Sequence, residues 1–182
     1  MSVLAALMSL LLAHPQGFHK KIVFTLHKFD LQGLMVMDID GGERCSLIRA
    51  GADIDHDGVL SVAETAALQK RLVAMAMKQL TVRFSGAPFA IEARESKINL
   101  HQDSSVSQSG LSVAIFIDQH HREPATEGLG FEVADQSPDR SPVNLEVFQV
   151  PASDAGWVPV FTTELEAGRM AVVRLGALAE ER

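Results

Sequence analysis

Cysteine is nearly missing from this chain. Cys45 is the only one in 182 residues, so no intrachain disulfide can form. Tyrosine is absent and Trp157 is the single tryptophan, which leaves the large aliphatic residues to build a core. No apolar run is long enough for a membrane helix, which needs about 20 residues. The longest, Met1–Ala13, has the length of a signal-peptide core. Basic charge is scarce in the second half. Residues 101–182 hold 5 Lys and Arg against 13 Asp and Glu, whereas residues 1–100 hold 11 against 10. That balance argues against nucleic acid or anionic lipid as a partner. Catalytic signatures are lacking too. There is no G-x-S-x-G, P-loop, H-E-x-x-H or C-x-x-C, and the chain is not expected to be an enzyme. Cys45 has no context that marks a nucleophile and reads as a small buried hydrophobe.

What is present is 47% apolar residues, arranged mostly with the two-residue period of β-structure. Phe18–Phe29 alternates, with Ile22, Phe24 and Leu26 on one face. Gly33–Asp40 is expected as its hairpin partner, turned by Asp30-Leu31-Gln32-Gly33. Further strands are expected over Leu80–Phe84, Pro88–Ala93, Lys97–Gln102, Gly110–Asp118, Leu129–Asp135, Val143–Val150, Val158–Leu165 and Met170–Leu175. Ser104–Ser109, Glu123–Gly128 and Gln136–Pro142 read as connections. Short strands at this regular spacing predict a mainly β fold, an antiparallel, Ig-like sandwich.

Two segments break the β pattern. Glu43–Ala52 suits a short helix. Val62–Gln79 contains neither Gly nor Pro, and Leu68, Leu72, Ala76 and Leu80 recur at four-residue steps. Between the two lies Asp53-Ile54-Asp55-His56-Asp57-Gly58-Val59-Leu60-Ser61-Val62-Ala63-Glu64. Calcium is a hard cation that takes six to eight oxygens. A short loop supplies them when carboxylates recur at alternate positions while the backbone curls around the ion. Asp53, Asp55 and Asp57 would each give one oxygen, and Gly58 permits the sharp turn. Val59 would give its carbonyl, Ser61 a hydroxyl or a bridging water, and Glu64 both carboxylate oxygens. The last pairing favours Ca²⁺ over the stricter octahedron of magnesium. Ser61 and Glu64 also fit a capping box at the start of a helix.

Loop and flanking helices together resemble the EF-hand family. The resemblance implies calcium, with Asp53, Asp55, Asp57, Val59, Ser61 and Glu64 as ligands. EF-hands normally pair through the eighth loop residue, here Leu60, and no second such loop follows. Leu60 is therefore expected to pair with the β domain, with another molecule or with nothing. A wider resemblance covers the apolar leader, His14-Pro15, the strand hairpin, the Asp-rich loop with its helix and the later strands. It is to exported bacterial proteins, some of them encoded beside nickel or cobalt permeases. Those often begin His-Pro-His where this chain has His14-Pro15-Gln16.

These readings give residues 1–13 as a signal peptide and residues 14–182 as one β-rich domain with an EF-hand insertion at about 43–79. The expected function is calcium binding in an exported protein, periplasmic or extracellular, with the ion mainly structural. Two alternatives remain: a periplasmic metal-transport accessory or protein-binding module with an unidentified protein partner, and a calcium-responsive switch. A transition metal could be held by a mature His14 terminus with His19, although Pro15 lacks the amide proton of square-planar chelation. His120-His121 are expected in a solvated turn, and His27 and His101 on strand faces.

Overall fold

The computed structural model describes residues 17–27, 30–120, 128–137, 141–150, 158–166 and 168–175. Met1–Ala13, His14, His121 and Trp157 lie outside them, as do parts of the 123–128 and 136–142 connections. Among the described residues no helix is long and apolar enough to cross a membrane.

Among the described residues the first elements are β1 (Phe18–Leu26) and β2 (Asp30–Ile39), followed by helices α1 (Glu43–Ala50) and α2 (Val62–Gln79). Eight further strands follow among the described residues: β3 (Leu80–Phe84), β4 (Ala87–Phe89), β5 (Ala93–Leu100), β6 (Leu111–His120), β7 (Gly130–Asp135), β8 (Val143–Gln149), β9 (Val158–Leu165) and β10 (Met170–Arg174). They form a six-stranded sheet in the order β5-β6-β2-β1-β8-β9 and a four-stranded sheet in the order β10-β7-β3-β4. The fold is thus mainly β, two sheets with one shared core. Alternation aims Ile22, Phe24 and Leu26 of β1, Val113 and Ile115 of β6, and Leu145 and Val147 of β8 into that core. Val82, Phe84, Phe131 and Val133 meet them from the smaller sheet. The Phe24 and Phe131 rings touch edge to face, 5.4 Å between centroids, which locks the two layers at their middle.

The expected all-antiparallel ladder fails at one place. β1 and β8 run parallel, from Lys20 opposite Val143 to Leu26 opposite Gln149. β8 follows β7, a strand of the other sheet, so it enters by a crossover rather than a hairpin and is free to lie parallel. The first turn also differs. Asp30–Gly33 belongs to β2, not to the turn before it. A Cβ on Gly33 would lie 2.8 Å from Cε1 of Phe24 and 3.2 Å from Cβ of Ile117. Glycine serves close packing here, with the Phe24 ring lying over the strand. Pro88–Ala93 divides into the three-residue β4 and the start of β5. Ser85 (φ 47°) and Gly86 (φ 83°) make the tight turn between β3 and β4.

Helix α2 has the range its composition predicts. Leu68, Leu72 and Ala76 are buried, and the helix packs on β5, β6 and β3. It stops where Leu80 turns extended (φ −87°, ψ 125°) and becomes the first residue of β3. One residue thereby closes the helix stripe and opens the strand. The packing fixes α2, and so the loop before it, against the sheets.

Candidate metal centre

Helix α1 ends at Ala50 and α2 begins at Val62, so both ends of the loop 53–64 are fixed. Asp53 is buried, while Asp55 and Asp57 are exposed. One oxygen from each of the three lies within 4.8 Å of the others. Three carboxylates this close repel one another, and a cation among them relieves that repulsion. Local amides shape the cluster. Gly58 N–H donates to Asp53 Oδ2 at 3.0 Å, Asp57 N–H to Asp55 Oδ1 at 3.3 Å and Val59 N–H to Asp57 Oδ1 at 2.8 Å. The turns between them take positive φ at His56 (60°) and Gly58 (82°). A Cβ on Gly58 would meet nothing within 4 Å, so its backbone angle is what calls for glycine. The other oxygen of Asp53, Oδ1, is buried without a hydrogen-bond partner.

Glu64 bonds the backbone at both ends of the loop. Its Oε1 accepts Ile54 N–H at 2.6 Å, and its Oε2 accepts Ser61 N–H at 2.9 Å and the Ser61 hydroxyl at 2.7 Å. Ser61 Oγ in turn accepts Glu64 N–H, completing a capping box at the start of α2. The Ser61 hydroxyl, then the amides of Ile54 and Ser61, lower the Glu64 carboxyl to a pKa of about 2. Glu64 is ionised at any physiological pH and ties the start of the loop to its end.

The open question about Leu60 has an answer within the chain. Leu60 N–H donates to Ser104 O at 2.7 Å, and Val106 N–H donates to Gly58 O at 2.8 Å. These bonds frame an antiparallel bridge between Val59 and Ser105. The segment 104–109, expected as a plain connection, is therefore a bonded neighbour of the acidic loop. Arg49 organises it. This side chain at the end of α1 is fully buried. Its Nη1 donates to Asp103 O at 2.9 Å and Ser105 O at 2.8 Å, and its Nη2 to Gly110 O at 2.6 Å and His101 O at 3.3 Å. Cys45, buried as expected, donates its thiol to Ser109 O at 2.9 Å. Burial raises that thiol's pKa, opposed in part by Arg49.

Sequence reasoning missed Arg49 because an arginine in a helix's last turn ordinarily reads as a solvated charge at the dipole's negative end. It also missed a polar cluster between the sheets. Lys20 Nζ lies 3.1 Å from Asp135 Oδ2, both side chains 2% exposed, and also bonds Gln79 Oε1 at 3.2 Å and Ser137. The only hint in the sequence is a lysine on the apolar face of an alternating strand.

The described histidines are scattered. His19 pairs with Asp40 at 3.2 Å, both exposed. His120 ends β6 and pairs with Asp30 at 3.0 Å, so it is a strand residue and not part of a turn. His27 and His101 follow the ends of β1 and β5 and lie on no strand face. Among the described residues, Asp53, Asp55 and Asp57 make up the group of three or more His, Cys, Asp or Glu placed to hold an ion. Comparison with known proteins finds no matching family model and no curated protein that matches the chain.

Proposed function

We propose that this chain is a calcium-binding protein in which a single EF-hand, Asp53–Glu64, is inserted into an Ig-like β-sandwich. Asp53 Oδ1 carries the reading. A buried carboxylate oxygen without a partner is costly, and this one belongs to a trio of aspartates at the spacing that suits a hard cation. Asp53, Asp55 and Asp57 would supply carboxylate oxygens, Val59 its carbonyl and Ser61 its hydroxyl. Glu64 would close the cage. Glu64 Oε2 already accepts the Ser61 amide and hydroxyl, which fill its two lone pairs, so closing the cage with both oxygens would require Glu64 to give up capping bonds to Ser61. Calcium would supply the positive charge that the cluster otherwise lacks.

The role is structural. The apolar stripe of α2 and Leu60 belong to the same buried core as the two sheets, so releasing them in the manner of a sensor would break that core. The ion acts as a staple that fixes α1 and α2 on the sheets. Its affinity belongs with extracellular modules, on the order of 0.1–1 mM. Such a range matches export to the periplasm or outside, the reading given by the apolar run Met1–Ala13 before His14-Pro15.

The test is isothermal titration of the mature chain with calcium, magnesium and nickel, repeated on Glu64→Gln. We expect calcium heat in the wild type and at least tenfold weaker binding in the variant, whose amide can still cap α2. Absence of calcium heat in the folded wild type overturns the reading. Mass spectrometry of the secreted form tests cleavage after Ala13.

A further inference from the structure

We infer that loop 101–110 is the built-in mate of the acidic loop, and that Arg49 couples the two by occupying, with its guanidinium, the place of a second cation. The inference rests on the calcium reading and deepens it.

Two loops are joined here, as the bridge between Val59 and Ser105 and its flanking bonds show. Only one of them carries a set of carboxylates. The other turns backbone carbonyls inward. Those of His101, Asp103 and Ser105, at alternate positions, converge with that of Gly110 on one guanidinium. In the acidic loop the alternate positions 53, 55 and 57 present side-chain oxygens in the same rhythm. Carbonyl oxygens gathered around a centre call for positive charge. A planar guanidinium offers five N–H donors and keeps its charge when buried. It is tethered to α1, so this half of the pair holds its cation permanently.

Arg49 also reaches the other half through its main chain. Its carbonyl accepts Ala52 N–H at 2.9 Å and Asp53 N–H at 3.1 Å. One residue thus holds loop 101–110 by its side chain and the first proposed ligand, Asp53, by its backbone. Releasing the guanidinium would loosen both the bridge and the start of the acidic loop. Ligands that must be ordered on binding bind more weakly than ligands already in place. Arg49 is therefore a positioning residue for calcium, although it touches no ion. The coupling is reciprocal by linkage. Calcium in the acidic loop tightens the bridge to 101–110.

Two measurements decide the matter. The first is amide hydrogen exchange of the wild type with and without saturating calcium. Leu60 and Val106 donate the two bridging bonds, and their exchange should slow at least tenfold with calcium. Amides of β9, at the far edge of the larger sheet, that exchange by local opening should not change, which separates coupling from a general gain in stability. The second is calcium titration of Arg49→Lys and Arg49→Met, under conditions where far-ultraviolet circular dichroism shows each folded. Affinity should fall tenfold or more in the Met variant and less in the Lys variant, which keeps the charge but loses the fork. If the Met variant does not fold, the wild-type exchange data decide. Calcium binding by the wild type with unchanged exchange at Leu60 and Val106, or wild-type affinity in a folded Arg49→Met, overturns the coupling and leaves the calcium reading standing. No binding by the wild type overturns both.

Discussion

Glu64 Oε1 accepts the Ile54 amide at 2.6 Å, joining the second residue of the acidic loop to the twelfth. The other carboxylate oxygen holds Ser61 by its amide and its hydroxyl. One side chain therefore closes the loop and caps α2. This contact makes the loop's geometry depend on a charge as well as on packing.

Acid should weaken it. The Glu64 carboxyl titrates at about 2 in the folded chain, against an ordinary value near 4.5. A carboxylate with a lowered folded pKa stabilises above its unfolded pKa, and that contribution is lost as pH falls through the folded one. The contribution of Glu64 should be whole above about pH 4.5 and should fade between about 4.5 and about 2. Urea unfolding of the calcium-free protein across this window should show falling midpoints. The wild-type slope should exceed that of Glu64→Gln, which has no carboxyl to titrate at this position. Equal slopes would mean that the Glu64 contacts do not favour the ionised form.

Asp53→Asn separates metal binding from loop shape. An asparagine oxygen can still accept the Gly58 amide, so the turn should survive. One of three clustered negative charges is removed. The calcium-free melting temperature should hold or rise, because the repulsion is reduced. Calcium affinity should drop at least tenfold, equivalent to about 1.4 kcal/mol. Scanning calorimetry with and without calcium would show both effects. A variant as responsive to calcium as the wild type would remove Asp53 from the ligand set.

What could be read in the sequence followed from short-range physics. The helix Val62–Gln79 was legible because Leu68, Leu72 and Ala76 recur at four-residue steps and Ser61 with Glu64 writes its cap. Most strands were legible from alternation, and the acidic loop from the spacing of its side chains. The parts that were hidden depend on contacts between residues far apart in the chain. Nothing local says that β8 lies parallel to β1, because no turn joins them. Nothing in residues 101–110 says that four of their carbonyls face an arginine more than fifty residues earlier. Carbonyls are the same in every residue type, so a site built from them leaves no mark in the sequence. Asp53, Asp55 and Asp57 bring together side-chain oxygens and are plain to see.

Gly33 shows how such a misreading is tested. Beside Asp30 and Gln32 it suggests a turn, yet it sits within β2 beneath the Phe24 ring. If the ring sets the requirement, Gly33→Ala should destabilise by about 1–3 kcal/mol through overpacking. Adding Phe24→Leu should cost less in the Gly33→Ala background than in the wild type, because the clash has partly gone. Denaturant titrations of the four proteins in a double-mutant cycle would measure this coupling. Additive costs would show that ring and glycine are independent.

Lys20 and Asp135 give the sharpest stability prediction. Their heads meet at 3.1 Å between the two sheets, with Gln79 and Ser137 around the ammonium group. Removing Lys20 alone, as Lys20→Met, leaves Asp135 buried with its charge uncompensated, a change of about 3–5 kcal/mol. Removing both charges, as Lys20→Met with Asp135→Leu, replaces the pair by apolar packing and should recover most of that loss. Gln79 and Ser137 would lose their charged partners in the double variant, so recovery should be incomplete. Chemical unfolding of wild type, both single variants and the double variant would resolve these steps. A double variant no more stable than the worse single would show that the cluster depends on Gln79 and Ser137 as much as on the ion pair.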